Sequence, residues 1–234
     1  MVKRVERVLV IVAHPDDAES WAGGTIAKLI RDGVQVAYCI VTNGDKGSGD
    51  RTMTPERLAA TRRAEQRDAA RVLGVATVDF LGFPDCEVAN TRQTRLAVTA
   101  AIRRHRPDLL LTQDQNRTKL LGASHRDHRV VGEIALDCVY PLARTHLAFP
   151  ELHRQGLEPH AVKEVHLMVW GDHSDLVVDI SGTIEVKIAA LACYVSQMPD
   201  RAALDKNVRE RAARLGEPVG YRYAEVFARM LVDG

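Results

Sequence analysis

The chain has 234 residues, 46% hydrophobic and 27% charged, with 32 basic against 31 acidic side chains and a net charge of +1. That composition excludes a disordered chain, and the balanced charge gives no bulk attraction to nucleic acid or to an anionic membrane. The four cysteines, Cys39, Cys86, Cys138 and Cys193, form no CxxC pair, which excludes a zinc knuckle or a dithiol redox motif.

Arg7 to Ala13 is predicted as a buried strand, apolar on both faces. Trip points follow in order: a helix over Trp21–Arg31, a strand over Val34–Thr42, and a polar, Gly-rich loop from Asn43 to Thr54. Thr54 caps a second helix that Pro55 opens and Gly74 ends. A short strand at Thr77–Leu81, a loop to Asn90 and a helix over Thr91–Arg106 come next. Leu109-Leu110-Leu111 marks a fourth strand within Asp108–Thr112, and Gln113 to Ser124 reads as a polar loop. His125 starts a helix that runs to about Leu142. The segment 144–159 reads as irregular, Val162–Trp170 and Leu176–Ile180 as strands, and Gly182–Val195 as a helix. The tail from Pro199 has helical composition.

Alternating strands and helices predict one α/β, Rossmann-like domain over 1–234, with a mostly parallel sheet covered by helices on both faces. Ligands in such folds bind at the carboxyl edge of the sheet. The three loops richest in chemistry, 13–19, 43–54 and 113–128, all fall on that edge. Cys39, Cys138 and Cys193 sit in apolar runs and read as buried, whereas Cys86 lies in a loop. The charged N-terminus lacks the apolar core of a signal peptide, and no apolar run approaches the roughly 20 residues of a membrane span. A cytoplasmic, reduced protein is expected, with no membrane or nucleic-acid partner; a homo-oligomer is compatible with the sequence.

His14, Asp16 and Asp17 follow the first strand within four residues, and Pro15 constrains their turn. Adjacent carboxylates repel one another unless a cation offsets them. His125 and His128, three apart, share one side of a helical first turn with Asp127 between them. Two imidazoles and one carboxylate suffice to hold a catalytic zinc and leave a position for water. The same donor set serves non-haem iron(II) oxygenases, although those use β-barrel-type scaffolds. A nucleotide-binding module is disfavoured, because neither GxGxxG after the first strand nor GxxxxGK[ST] is present. A sugar-binding chain without catalysis is a third reading.

Ala13-His14-Pro15-Asp16-Asp17 with Glu19, and His125-Arg126-Asp127-His128, resemble the two signatures of the LmbE-like (PIG-L) zinc-dependent deacetylases. Gly23-Gly24-Thr25, Thr42-Asn43-Gly44-Asp45, Arg62-x-x-Glu65, Arg106-Pro107-Asp108 and Ser196-Gln197 are similar to further landmarks of that family. The resemblance implies a hydrolase that removes acetyl from an N-acetylglucosaminyl compound, a small glycoside, or cleaves a related thiol conjugate. It implies His14, Asp17 and His128 as ligands to zinc, with iron(II) or another divalent ion as alternatives. Asp16 would be the general base, ionised at low pKa. His125 would stabilise the oxyanion as an imidazolium, with Asp127 behind it, and Arg62 and Asp85 would contact the sugar. Two residues depart from the pattern: Arg126 stands where Pro is common, and Tyr194 stands where His often precedes the Ser-Gln pair. Glu19 is assigned to the first helical turn, favouring the helix dipole or orienting a ligand.

Overall fold

The computed structural model describes residues 5–116, 124–170 and 173–232. Seven strands form one sheet in the order β3-β2-β1-β4-β5-β7-β6. They are β1 (Arg7–Val12), β2 (Gln35–Thr42), β3 (Thr77–Phe83), β4 (Leu109–Gln113), β5 (Glu164–Met168), β6 (Leu176–Asp179) and β7 (Ala224–Leu231). β1 to β5 run parallel to one another, and β7 lies antiparallel between β5 and β6. Seven helices accompany them: α1 (Asp17–Arg31), α2 (Pro55–Leu73), α3 (Arg92–His105), α4 (Arg126–Asp137), α5 (Pro150–Arg154), α6 (Ile184–Leu191) and α7 (Arg201–Gly216). Among the described residues, no helix is long and apolar enough to cross a membrane.

Alternation along β1 explains the two layers. Leu9, Ile11 and Ala13 pack with Val98 and Ile102 of α3 and Val131 and Ile134 of α4. Val8, Val10 and Val12 face Ala22 and Ile26 of α1, Ala69 and Leu73 of α2 and Ala190 of α6. Both faces of the strand are therefore buried, as a continuous apolar run requires. The strand order reverses at β1: the chain moves out through β2 and β3, then returns to β4 on the other side. The carboxyl ends of β1 and β4 thus flank the crevice where such folds bind ligands. Thr54 caps α2 as expected, its side chain accepting from the Arg57 amide.

Several expectations need correction. Helix α1 begins at Asp17, four residues before the predicted start, because Asp16 completes the turn in a left-handed conformation with φ 91°. The tail is not wholly helical: after α7 the chain enters β7 and closes the sheet. The helix predicted to run to Leu142 ends at Asp137 in regular form; the backbone turns extended at Tyr140, ahead of Pro141, and the stretch Cys138–Leu142 is a kinked turn. The segment 144–159 contains α5 and is organised by a buried arginine. Arg103 Nη2 donates to the carbonyls of Leu142, Thr145 and Ala148 at 2.7–3.0 Å. The segment spans the length of α3, since Glu151 also pairs with Arg92 at the start of that helix. Cys39 and Cys138 are buried, Cys86 is exposed, and Cys193 is only half-buried. Of the expected polar loop 113–124, residues 117–123 lie outside the described residues.

Packing is tight where α4 crosses the end of β4. A Cβ at Gly132 would stand 2.2 Å from the Gln113 carbonyl oxygen. Gly132→Ala should therefore lower the unfolding free energy by about 1–3 kcal/mol, as overpacking of a dense interior does. Urea denaturation checks this, with the midpoint moving down at unchanged m-value.

Candidate metal centre

His14 leaves the end of β1 and its ring sits among three loops. Its Nδ1 lies 3.3 Å from His128 Nε2 and 3.4 Å from an Asp17 carboxylate oxygen. His128 Nε2 lies 3.1 Å from the other Asp17 oxygen. Donors placed at about 2.0–2.1 Å around a tetrahedral zinc are separated by about 3.3 Å, so the two ring nitrogens and the Asp17 carboxylate, which turns one oxygen to each of them, are spaced as a shared cation requires. The other face of His14 explains which nitrogen is available. Nε2 is 2.9 Å from Asp85 Oδ1 and 3.7 Å from Asp127 Oδ2. An Nε2–H donated to Asp85 leaves the Nδ1 lone pair directed at Asp17 and His128. His14, His125 and His128 also form a cluster whose nitrogens lie within 4.8 Å of one another. The His14 and His125 rings meet edge-on at 4.7 Å.

The electrostatics ask for positive charge. Burial opposes a His14 cation, yet hydrogen bonds to Asp127, Asp17 and Asp85 outweigh it and hold the imidazole pKa well above its usual value. Burial likewise opposes the Asp17 anion, but His128 and His14 keep that carboxyl well below the ordinary range. Asp85 is also lowered: burial resists, and the His14 contact prevails.

Asp16 and its supports come from one buried arginine. Arg62 of α2 is 4% exposed. Its Nη2 donates to the Pro15 carbonyl at 2.6 Å and to Asp16 Oδ2 at 3.2 Å, and Nη1 donates to the Gly44 carbonyl at 3.1 Å. Gly44, with φ 63°, admits this approach, because a Cβ there would stand 2.6 Å from Nη1. The left-handed backbone at Asp16 costs on the order of 1–3 kcal/mol and persists only where its surroundings fix it. Arg62 provides that, together with Gln66, whose Oε1 accepts from the Asp16 amide at 3.3 Å. Burial pushes the Asp16 carboxyl up to about 7 against the pull of Arg62, with Asp17 and Glu19 adding to the rise.

Other assignments also change. Asp127 is fully buried, but its carboxylate does not bond His125. It accepts from the Cys86 amide at 2.6 Å and from Arg126 at 2.8 Å. His125 instead caps α4, its Nδ1 accepting from the Asp127 amide at 3.1 Å. That bond leaves the proton on Nε2, and burial with the nearby His14 and His128 lowers the His125 pKa. The imidazolium expectation gives way to a neutral donor. Arg126 turns back onto the Val88 carbonyl at 2.6 Å, so the family's usual Pro is replaced by a strap between α4 and the loop after β3. Arg62 and Asp85, expected to contact a sugar, are each only 4% exposed and are committed to Asp16 and His14.

Sequence reasoning missed the chain of groups behind Asp16. Glu19 lies in the first turn of α1, as expected, and is fully buried there. Its Oε2 accepts from Tyr194 Oη at 2.8 Å and its Oε1 from Gln66 Nε2 at 3.1 Å. Tyr194, in the position of departure, thus ties the C-terminal third through Glu19 and Gln66 to Asp16. Glu65 accepts from the Ser196 amide at 2.8 Å and hydroxyl at 2.6 Å, joining the Arg62-x-x-Glu65 and Ser-Gln landmarks. The i, i+3 spacing of Arg62 and Glu65 was the available signal.

Residues 9–139 match the family described as PIG-L, GlcNAc-PI de-N-acetylase. Over 227 residues the chain is 33% identical to diacetylchitobiose deacetylase of Thermococcus kodakarensis, covering 94% of this chain and 82% of that protein. It is 27% identical to 1D-myo-inositol 2-acetamido-2-deoxy-alpha-D-glucopyranoside deacetylase of a Mycobacterium species, covering 85% and 76%. The solved N,N'-diacetylchitobiose deacetylase of Pyrococcus horikoshii superposes with a TM-score of 0.89 at 32% identity, over 97% of this chain and 84% of that one.

Burial pushes the Glu19 carboxyl up to about 7 from an ordinary 4.5. A raised folded-state pKa means that the native chain holds a proton the unfolded chain has lost. The stability this confers is complete below about pH 4.5 and is lost as the pH rises to about 7. Glu19→Gln should make that decline shallower, by up to about 1.4 kcal/mol per pH unit. Denaturant titrations at several pH values would show it; parallel curves for variant and wild type would refute the assignment.

Proposed function

This chain belongs to the PIG-L, or LmbE-like, de-N-acetylase family, and from that premise we propose that it hydrolyses the acetamide of a small N-acetylated amino sugar at His14, Asp17 and His128. The observation that carries the reading is the triangle of donor atoms at 3.1–3.4 Å, backed by Asp85 on the far side of His14. We assign zinc to this set. When bound, it would bring a water molecule's pKa to about 7 and polarise the amide carbonyl.

The remaining work falls to the protein. Asp16 accepts a proton from the attacking water and returns it to the sugar nitrogen as the C–N bond breaks. His125 donates Nε2–H to the carbonyl oxygen as negative charge develops there, and a neutral imidazole performs that task. Arg62 and Gln66 hold Asp16 in its left-handed turn, and Asp85 keeps His14 in the ligating tautomer. Acetate and a protonated amino sugar are the products. The two named relatives act on different glycosides that share a 2-acetamido glucose unit, which supports the acetamide as the common element recognised here.

Asp16→Asn should retain metal and lose about 10²–10⁴-fold in kcat, whereas His14→Ala should lose metal itself. Acetate release from N-acetylglucosaminyl compounds, paired with metal analysis of each preparation, separates the two; full turnover in Asp16→Asn would sink the mechanism. Asp85→Asn should weaken zinc affinity about 10–100-fold. A chelator competition titration measures it. Unchanged affinity with a raised KM would return Asp85 to the sugar-contact role.

A further inference from the structure

Helix α7 covers a cavity of about 170 Å³, walled by α1, α6, β7 and Val169. It shares Trp21 and Val169 with a narrow cleft that also reaches Ser124 and His128. One wall of the cavity is therefore also a wall of the proposed metal site.

The charged groups lining the cavity are two cations, Lys187 and Arg211, and one carboxylate, Glu225. Lys187 and Glu225 satisfy each other. Lys187 Nζ donates to Glu225 Oε1 at 2.6 Å and to the Ser20 carbonyl at 3.0 Å. Glu225 also accepts from the Gly24 and Thr25 amides at 3.0 and 2.7 Å. One positive charge is left over, on Arg211. Its guanidinium carbon stands 4.6 Å from the centre of Trp21 and 4.5 Å from Trp170. The two indoles meet at 81° with centroids 4.8 Å apart, so the guanidinium occupies their corner. A planar group in the corner of two rings at 81° can lie flat on at most one of them and turns an edge to the other, and ring contacts do not satisfy the remaining N–H donors. Among the described residues, Arg211 is influenced by the charges of Glu225 and Arg214 and hydrogen-bonds to no acceptor. A planar fork held this way matches the two oxygens of a carboxylate.

We propose that this cavity is a carboxylate subsite, with Arg211 as the bidentate donor and Trp21 and Trp170 as its frame. The ligand follows from the deacetylase reading, on which the proposal rests. Hydrolysis adds water across the amide C–N bond: the acyl carbon leaves as acetate, and the nitrogen leaves as an amine that takes up a proton. Acetate is therefore made on the other side of the Trp21 wall. An acidic substituent on the amino sugar would present the same chemistry from the substrate.

The chain contains two tryptophans, and both frame Arg211. Intrinsic tryptophan emission of the metal-loaded protein is thus a direct reading of the subsite. Sodium acetate at constant ionic strength, with chloride as control, should give a saturable change. Arg211→Met should weaken the acetate constant at least ten-fold, and Arg211→Lys, which keeps charge but not the fork, by about three-fold or more. If Arg211→Met does not fold, Arg211→Lys carries the test. N-acetylmuramic acid against N-acetylglucosamine separates the sources: a ten-fold preference for the acid in wild type, absent in the variant, identifies a substrate group, and saturation by acetate alone identifies the product. No saturable change with either acid, or wild-type constants in the folded variant, would overturn the proposal. Deacetylation is assayed separately by released amine. Carboxylate binding without turnover would defeat the enzymatic reading and leave the subsite standing; turnover without binding would do the reverse.

Discussion

The structure of this sheet edge depends on what surrounds one imidazole. His14 is held from below by Asp85 at 2.9 Å and faces Asp17 and His128 at 3.3–3.4 Å on the other side. Those partners arrive on three different connections, after β1, β3 and β4. Each connection has its own reason to be there. The turn after β1 is pinned by Arg62, the loop after β3 by Lys46 and Arg126, and the start of α4 by the His125 cap. These ties matter because a partner on one ring nitrogen fixes the tautomer and orientation with which the other can face a cation.

The first four strands were legible because both periodicity and boundaries are strong there. β1 and β4 are unbroken apolar runs, and glycine or proline closes the adjoining helices. The last strand was not legible, for physical reasons. Ala224–Leu231 is an antiparallel strand whose first half is buried and whose second half emerges. It carries Glu225, a fully engaged buried acid, where an apolar side chain would signal sheet. Likewise the sequence placed the correct groups at the site but not their pairings. His125 and Asp127 are two apart on a helix start, and such neighbours turn to different sides. Asp127 therefore reaches back to the Cys86 amide, and its own amide goes to His125. Nothing in the pattern HRDH encodes that exchange.

The family match, over residues 9–139, ends at the kinked turn after α4 and encloses His14, Asp16, Asp17, His125 and His128. The rest of the chain contributes no donor to the triangle, yet it is not an accessory. Tyr194 completes the hydrogen bonding of Glu19, Ser196 completes that of Glu65, and β7 brings Glu225 under α1. The N-terminal part supplies the reacting groups, and the C-terminal part fixes the helices that bear them. Departure at Tyr194 is consistent with that division. A phenol donating to a buried carboxylate replaces whatever an imidazole would do, without entering the donor set.

The same division bears on why we propose Asp16 as the base and not its neighbour. Two adjacent carboxylates in one turn start out equivalent. Asp17, the first residue of α1, folds back so that one oxygen accepts from the His14 amide at 2.7 Å, and both oxygens lie against imidazoles. Asp16 is rotated away by its left-handed backbone, toward Arg62, and retains 15% exposure of its side chain. Ligation needs an anion that stays an anion, and Asp17 is pulled in that direction. Proton transfer needs a group able to hold either form, and burial without a full complement of donors moves Asp16 there. The left-handed turn at Asp16, with φ 91°, thus sends the two adjacent carboxylates to different partners, Asp16 to Arg62 and Asp17 to the imidazoles.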